Sequence, residues 1–164
     1  MENTTNKILH ILRGNARLTN AQIAAMLGLS ENEVRAEITA LEESGIIAGY
    51  SAIINEEEYD KNATTAVIQL KVSPQLDNGY DAIVRKIVQN SNVEDIRLMS
   101  GGNYDLAVTV KCENFRDVAT FVTANLAPMD GVLSTATHFI LKRYKEKGAL
   151  FPSDSDDERS LVSP

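Results

Sequence analysis

The sequence predicts an α+β chain in two parts: an N-terminal winged helix-turn-helix unit and a C-terminal ferredoxin-like βαββαβ unit. Three observations predict it. Two helix-capping boxes flank a glycine turn within residues 19–45. Apolar spacing changes near residue 63 from a helical period to strict alternation. Beyond that point, strand-like and helix-like segments follow one another as β-α-β-β-α-β, the split-βαβ order.

The first unit opens with a helix capped by Thr5, with Ile8, Leu9 and Leu12 on its apolar face and Gly14 near its end. Thr19 and Gln22 form a capping box that starts the short helix Asn20–Leu27, and Gly28 ends it. Ser30 and Glu33 form the second box. Val34, Ile38 and Leu41 then repeat at i, i+4 and i+7, one apolar stripe on a helix that Gly45 terminates. A helix, a glycine-containing turn and a second amphipathic helix is the helix-turn-helix signature. Ile46-Ile47 and Tyr50–Ile54 predict a short wing and an extended exit. The expected core is Ile8, Leu12, Ile23, Leu27, Leu29, Val34, Ile38 and Leu41.

Residues 55–63 are polar and charged and read as a linker between a domain at 1–54 and one at 64–148. In the second domain Ala66, Ile68, Leu70 and Val72 alternate with Val67, Gln69 and Lys71, a half-buried strand that Pro74 stops. Leu76, Tyr80, Ile83, Val84, Ile87 and Val88 follow a 3.6-residue period, which predicts a helix over Leu76–Asn90. Val93–Met99 is the second strand, and Gly101-Gly102-Asn103 a turn. Leu106, Val108, Val110 and Cys112 mark the third strand. Phe115, Val118, Phe121, Val122 and Leu126 mark a helix ended by Pro128 and Gly131, and Val132–Tyr144 is a last long strand. Two helices then cover one sheet face and leave the other to a second copy. Residues 149–164 are acidic and Ser-rich and predict a disordered tail.

The chain has 164 residues, 43% hydrophobic and 24% charged, an ordinary globular composition. No apolar run approaches the about 18–20 residues of a membrane span. The MENTTNK terminus lacks the regions of a signal peptide. A lone cysteine, Cys112, forms no internal disulfide, so the expected compartment is the cytoplasm, with no membrane partner. Net charge is −7, and the first 60 residues hold 4 Lys and Arg (Lys7, Arg13, Arg17, Arg35) against 10 Asp and Glu. Phosphate neutralisation supplies most non-specific DNA affinity, so this balance opposes DNA binding. The helix from Ser30 carries Glu31, Glu33, Glu37, Glu42 and Glu43 against Arg35 alone. His10, His138 and Cys112 are too scattered to form a metal set, and no cofactor is expected.

The ordered motifs Ile8-Leu9-x-x-Leu12, Asn15-Ala16-Arg17, Ala24-x-x-Leu27-Gly28-Leu29-Ser30 and Leu41-Glu42-x-x-Gly45-Ile46-Ile47-x-Gly49-Tyr50 closely resemble the DNA-binding domain of the Lrp/AsnC (feast/famine) transcription regulators. Gly102-Asn103-Tyr104-Asp105-Leu106, Pro128-x-x-Gly131-Val132 and Thr135-x-Thr137 resemble that family's ligand-sensing (RAM) domain. The resemblance runs from about Thr5 to Tyr144, all but the tail. It implies operator DNA as a partner, homodimers assembling into rings such as octamers, and a small effector, an amino acid, bound between dimers. It implies no catalytic residues.

On that resemblance Ser30–Ser44 is the recognition helix. Arg17, Thr19, Asn20, Ser30, Asn32 and Arg35 are the expected DNA contacts, since the first turn of such a helix enters the major groove. Lys7 and Arg13 are further phosphate candidates. The paucity of basic residues on this helix departs from the family's pattern. The turn after the second strand borders the implied effector pocket, with Met99, Gly101, Gly102, Asn103, Tyr104, Asp105 and Thr137 as its residues and Leu98 beside them. Asp105 suits a ligand ammonium, and backbone N–H groups near Gly102 and Asn103 suit a carboxylate. A tight hairpin needing positive φ is the plainer reading of the same turn.

Two other readings stay open. One is a ligand-binding oligomer in which DNA binding is weak or lost, motivated by the acidic first 60 residues. The other is a sirohaem-type decarboxylase, since some relatives of this fold use histidines in the second domain. A single histidine there, His138, and the preserved turn motif argue against it.

Overall fold

Asn3 starts α1 (Thr4–Gly14): its side chain accepts the Thr5 N–H, so Asn3 and not Thr5 is the cap. Thr5 turns its hydroxyl instead to the Glu37 carboxylate. This computed structural model describes residues 3–74 and 79–151. Both boxes form as the spacing predicts. Thr19 and Gln22 cap α2 (Asn20–Leu27), and Ser30 and Glu33 cap α3 (Glu31–Glu43), each with side chain and backbone reciprocally bonded. Gly28 takes the left-handed conformation, φ +68°, between α2 and α3, where a side chain would be strained. Ile8, Ile23, Ala24 and Val34 are buried together, with Leu12, Leu18, Leu27, Leu29 and Ile38 packed around them.

Residues 46–54 form no strand, so the expected wing is not built there. A strand needs a ladder partner, and this segment has none among the described residues. A two-stranded ribbon appears at the other end of the sequence: β5 (Lys145–Glu146) pairs antiparallel with β6 (Ala149–Leu150). It belongs to the first of two compact units, residues 3–53 with Lys145–Leu150. The second unit comprises Ile54–Tyr144 with Phe151.

The second unit begins with one helical turn, α4 (Glu56–Tyr59), inside the segment read as a linker. It continues with β1 (Thr64–Val72), α5 (Asp81–Ile87), β2 (Val93–Leu98), β3 (Leu106–Cys112), α6 (Phe115–Phe121) and β4 (Val132–Phe139). The antiparallel sheet runs β2-β3-β1-β4. The alternation seen in β1 and β3 is the burial observed: Ala66, Ile68, Leu70, Leu106, Val108 and Val110 are wholly buried, and α5 and α6 supply Ile83, Ile87, Val118 and Phe121 to the same core.

Several element ends differ from expectation. α5 starts at Asp81, and residues 75–78, including the predicted Leu76, lie outside the described residues, as does the tail beyond 151. The helix after Phe115 widens into a π turn over Val122–Leu126, where the Thr123 hydroxyl bonds the Ala119 and Thr120 carbonyls and competes with the backbone ladder. β4 stops at Phe139, five residues early. β1 begins at Thr64, and the Ile140 N–H to the Thr65 carbonyl is the last backbone bond between the two segments among the described residues; the Arg143 N–H bonds the Glu57 carboxylate instead.

The face opposite the helices carries Val67, Ala107, Thr109 and Ala136 at its centre, ringed by Gln69, Lys71, Lys111 and His138. α4 meets its corner through the Glu56–Lys111 ion pair at 2.6 Å.

Candidate functional site

The helix-turn-helix residues fall into two groups. Thr19 and Ser30 are caps whose hydroxyls accept the Gln22 and Glu33 N–H groups at 3.2 and 3.3 Å. Arg17, Asn32 and Arg35 are exposed, and Asn20, the first residue of α2, is half-buried. The Arg17 backbone is held by the Asn15 side chain at 3.0 Å, which sets the turn leading into α2. These residues lie along α2, α3 and the turn before them, the arrangement in which a recognition helix meets a groove.

The carboxylates of α3 are mostly engaged within the chain. Glu31 pairs with Arg35 at 2.8 Å. Glu33 closes the cap on Ser30, whose hydroxyl first and backbone N–H second hold its carboxyl below the ordinary range. Glu37 takes the Thr5 hydroxyl. Glu42 accepts from the Tyr50 phenol at 2.8 Å, and partial burial together with that carboxylate pushes the phenol up, keeping it a donor. The acidic balance of the first 60 residues also dissolves on the fold. Glu56, Glu57, Glu58 and Asp60 belong to the second unit, while Lys145 and Lys147 belong to the first. Among described residues the first unit therefore holds six basic side chains (Lys7, Arg13, Arg17, Arg35, Lys145, Lys147) and six acidic ones (Glu31, Glu33, Glu37, Glu42, Glu43, Glu146).

At the end of the sheet, Gly101 and Gly102 adopt φ +88° and +81°, so the tight turn is real. Gly101, Gly102, Asn103 and Met99 are exposed, and Tyr104 and Asp105 are half-buried. Asp105 is committed within the chain. One oxygen accepts the Val72 N–H at 2.8 Å and the other pairs with the Lys71 ammonium at 3.1 Å. Val72 N–H first, then Lys71, hold its carboxyl below the ordinary value. A carboxylate offers about four lone-pair sites, so acceptor capacity remains for a ligand cation. Thr137 is not brought to this turn. It pairs with Ile68 on the helix-covered side of β4, two strands from β3, about 10 Å across the sheet.

His138 lies on the open face, its Nε2 3.3 Å from Gln69 Oε1. His10 is an exposed residue of α1. Burial first and the Asp117 carboxylate second push the Cys112 thiol up, away from the reactive thiolate. No group of three potential metal ligands occurs among the described residues. Sequence reasoning missed Lys71, the partner that orients Asp105, and Lys145 and Lys147. The Lys147-Gly148 pair was the available signal, a two-residue hairpin turn.

Comparison with known proteins agrees with this architecture. Residues 1–48 match the winged helix-turn-helix DNA-binding model, and residues 65–150 match the Lrp/AsnC ligand binding domain. The uncharacterized HTH-type transcriptional regulator YugG of Bacillus subtilis is 42% identical over 159 residues, covering 96% of this chain and 95% of that one. The HTH-type transcriptional regulator LrpA of Pyrococcus abyssi is 31% identical over 138 residues, covering 84% and 94%. Among solved structures, a Neisseria meningitidis transcriptional regulator in complex with L-Met superposes with a TM-score of 0.72 at 22% identity, covering 94% and 98%. Escherichia coli AsnC superposes with 0.68 at 20%, covering 89% and 95%, the same fold. With both domains matched in order and a full-length relative at 42% identity, the chain belongs to the Lrp/AsnC family of DNA-binding transcriptional regulators.

Proposed function

We propose that this regulator binds operator DNA through Arg17, Thr19, Asn20, Ser30, Asn32 and Arg35 and responds to an amino acid held between copies at the Gly101–Asp105 turn. The observation that carries this reading is the turn itself. Two exposed positive-φ glycines stand in one turn with an oriented carboxylate, Asp105, and the exposed Met99, and backbone N–H groups of such a turn suit a carboxylate. A zwitterion matches both charges. The L-Met complex of the Neisseria regulator supports an amino acid as the ligand class. Thr137, remote from the turn in one chain, joins the pocket from a second copy.

Assembly is the other half of the proposal. The small and apolar centre of the open sheet face supports a homodimer, and dimers closing into a ring, an octamer, bring several DNA-binding units onto one operator. Linked units raise affinity through effective concentration. An effector shifts the assembly only by its differential affinity for two states. The protein acts in the cytoplasm and catalyses nothing in this reading. Its matched relatives are regulators, and no helix among the described residues is long and apolar enough to cross a membrane.

A thermal-shift screen of the standard amino acids, with light scattering in parallel, tests the effector and assembly together. A stabilising amino acid that also changes particle size is expected. No shift with any of them overturns the amino-acid reading, and a monomer at all concentrations overturns the ring.

A further inference from the structure

The β5–β6 hairpin is the feature that the regulator reading leaves unused. It lies at the C-terminal end of the segment matched to the ligand-binding domain, yet it packs in the same compact unit as the helix-turn-helix. Its two-residue turn is Lys147-Gly148, both at positive φ, +45° and +95°. Such turns favour Asn or Gly at the first position. Lys147 is the one non-glycine residue at positive φ among those described, and backbone outliers of this kind gather at functional sites.

Lys147 also lines a cleft of about 470 Å³ within the first unit, with Arg13 and Arg17. The apolar wall comes from Leu12 and Ile47, and no acidic residue lines the cleft. Half of the unit's six basic side chains thus surround one opening, while the acids of α3 are mostly occupied elsewhere. Arg17 stands immediately before α2, so the cleft borders the helix-turn-helix. Neither the Lys145 nor the Lys147 ammonium is in an ion pair among the described residues.

We propose that the Lys145–Leu150 hairpin serves as the wing of the DNA-binding unit, with Lys147, Arg13 and Arg17 holding a phosphodiester of the DNA backbone. This rests on the DNA-binding reading and adds a contact from the far end of the chain. Phosphate contacts position a protein on the duplex without reading sequence. The hairpin therefore contributes affinity and salt dependence, not operator choice.

The test is fluorescence anisotropy on the full chain with a duplex from its own upstream region and a scrambled duplex, across a salt series. Lys147→Asn removes the charge while suiting the positive φ, so the turn persists; Lys147→Arg restores the charge; Lys86→Gln, on α5, controls for general charge loss. Lys147→Asn is expected to weaken both duplexes by a similar factor, several-fold, and to make the log affinity against log salt slope shallower by about 1. Lys147→Arg should recover both, and Lys86→Gln should match the wild type. Wild-type affinity and slope in Lys147→Asn overturn the wing while leaving DNA binding intact. No binding by the wild type even at low salt overturns both.

Discussion

Asp105 accepts the backbone N–H of Val72 at 2.8 Å, a bond that helps tie the start of β3 to the end of β1. The Asp105 N–H bonds the Leu70 carbonyl at 2.9 Å and its carbonyl takes the Met99 N–H at 2.7 Å, so three strands end on one residue. The bond falls where the β1–β4 register shifts, between Lys71 and Val72. A residue suited to meeting a ligand also frames the turn that would hold it.

Asp105→Ala should lower the melting temperature, and Asp105→Asn should lower it less, because the amide oxygen still accepts the Val72 N–H. The stabilisation from this depressed carboxyl is complete above its ordinary value of 3.8 and is lost as pH falls through the lower folded value. Thermal denaturation across pH checks this. The gap between wild type and Asp105→Asn is widest at neutral pH and narrows in acid.

Glu31→Gln should tighten DNA binding, because it releases Arg35 from its 2.8 Å partner and removes a carboxylate from the first turn of α3. Arg35→Ala should weaken binding. Both side chains are more than half exposed or nearly so, at 59% for Arg35 and 50% for Glu31, so stability should move by no more than about 0.5 kcal/mol. Gel shifts and melting curves on the same two variants separate the effects.

Ser30→Ala and Thr19→Ala each remove a cap hydroxyl and should cost about 1 kcal/mol. Ile23→Ala, in the small core of the first unit, should cost about 2–5 kcal/mol. Chemical denaturation reads both, and DNA affinity should fall with the first unit's folded fraction.

Gly102→Ala should cost about 1 kcal/mol, because φ +81° is strained for a side chain although nothing lies within 4 Å of the new Cβ. Gly49→Ala, equally open and without positive φ, should cost less. The amino-acid thermal shift should be blunted in the first variant and kept in the second.

Much of the fold was legible because local chemistry and tertiary structure agree. The two capping boxes announced α2 and α3, and the alternation in β1 and β3 announced the buried face. What local pattern could not show depends on partners distant in sequence. β4 stops where β1 runs out of backbone. Asp105 is occupied by Lys71 and Val72, 34 and 33 residues away. Charge counted by sequence position assigned Glu56–Glu58 to the DNA-binding part, and only the packing shows that Lys145 and Lys147 belong there instead. The carboxylates of α3 look repulsive as a list; Glu33 and Glu42 read differently once the Ser30 and Tyr50 bonds are known.

The register shift in β4 has its own outcome. Ser134 pairs with Lys71 and Val132 with Val72, so Leu133 has no opposite number. Strict alternation would turn Leu133 inward. The skipped residue sends Val132 toward the core instead and leaves Leu133 65% exposed. It emerges at the end of the sheet where Leu98 and Met99 are also exposed, at 62% and 47%. One surplus residue in an edge strand thus turns a core leucine out to join two other exposed apolar side chains at the end of the sheet that carries the Gly101–Asp105 turn.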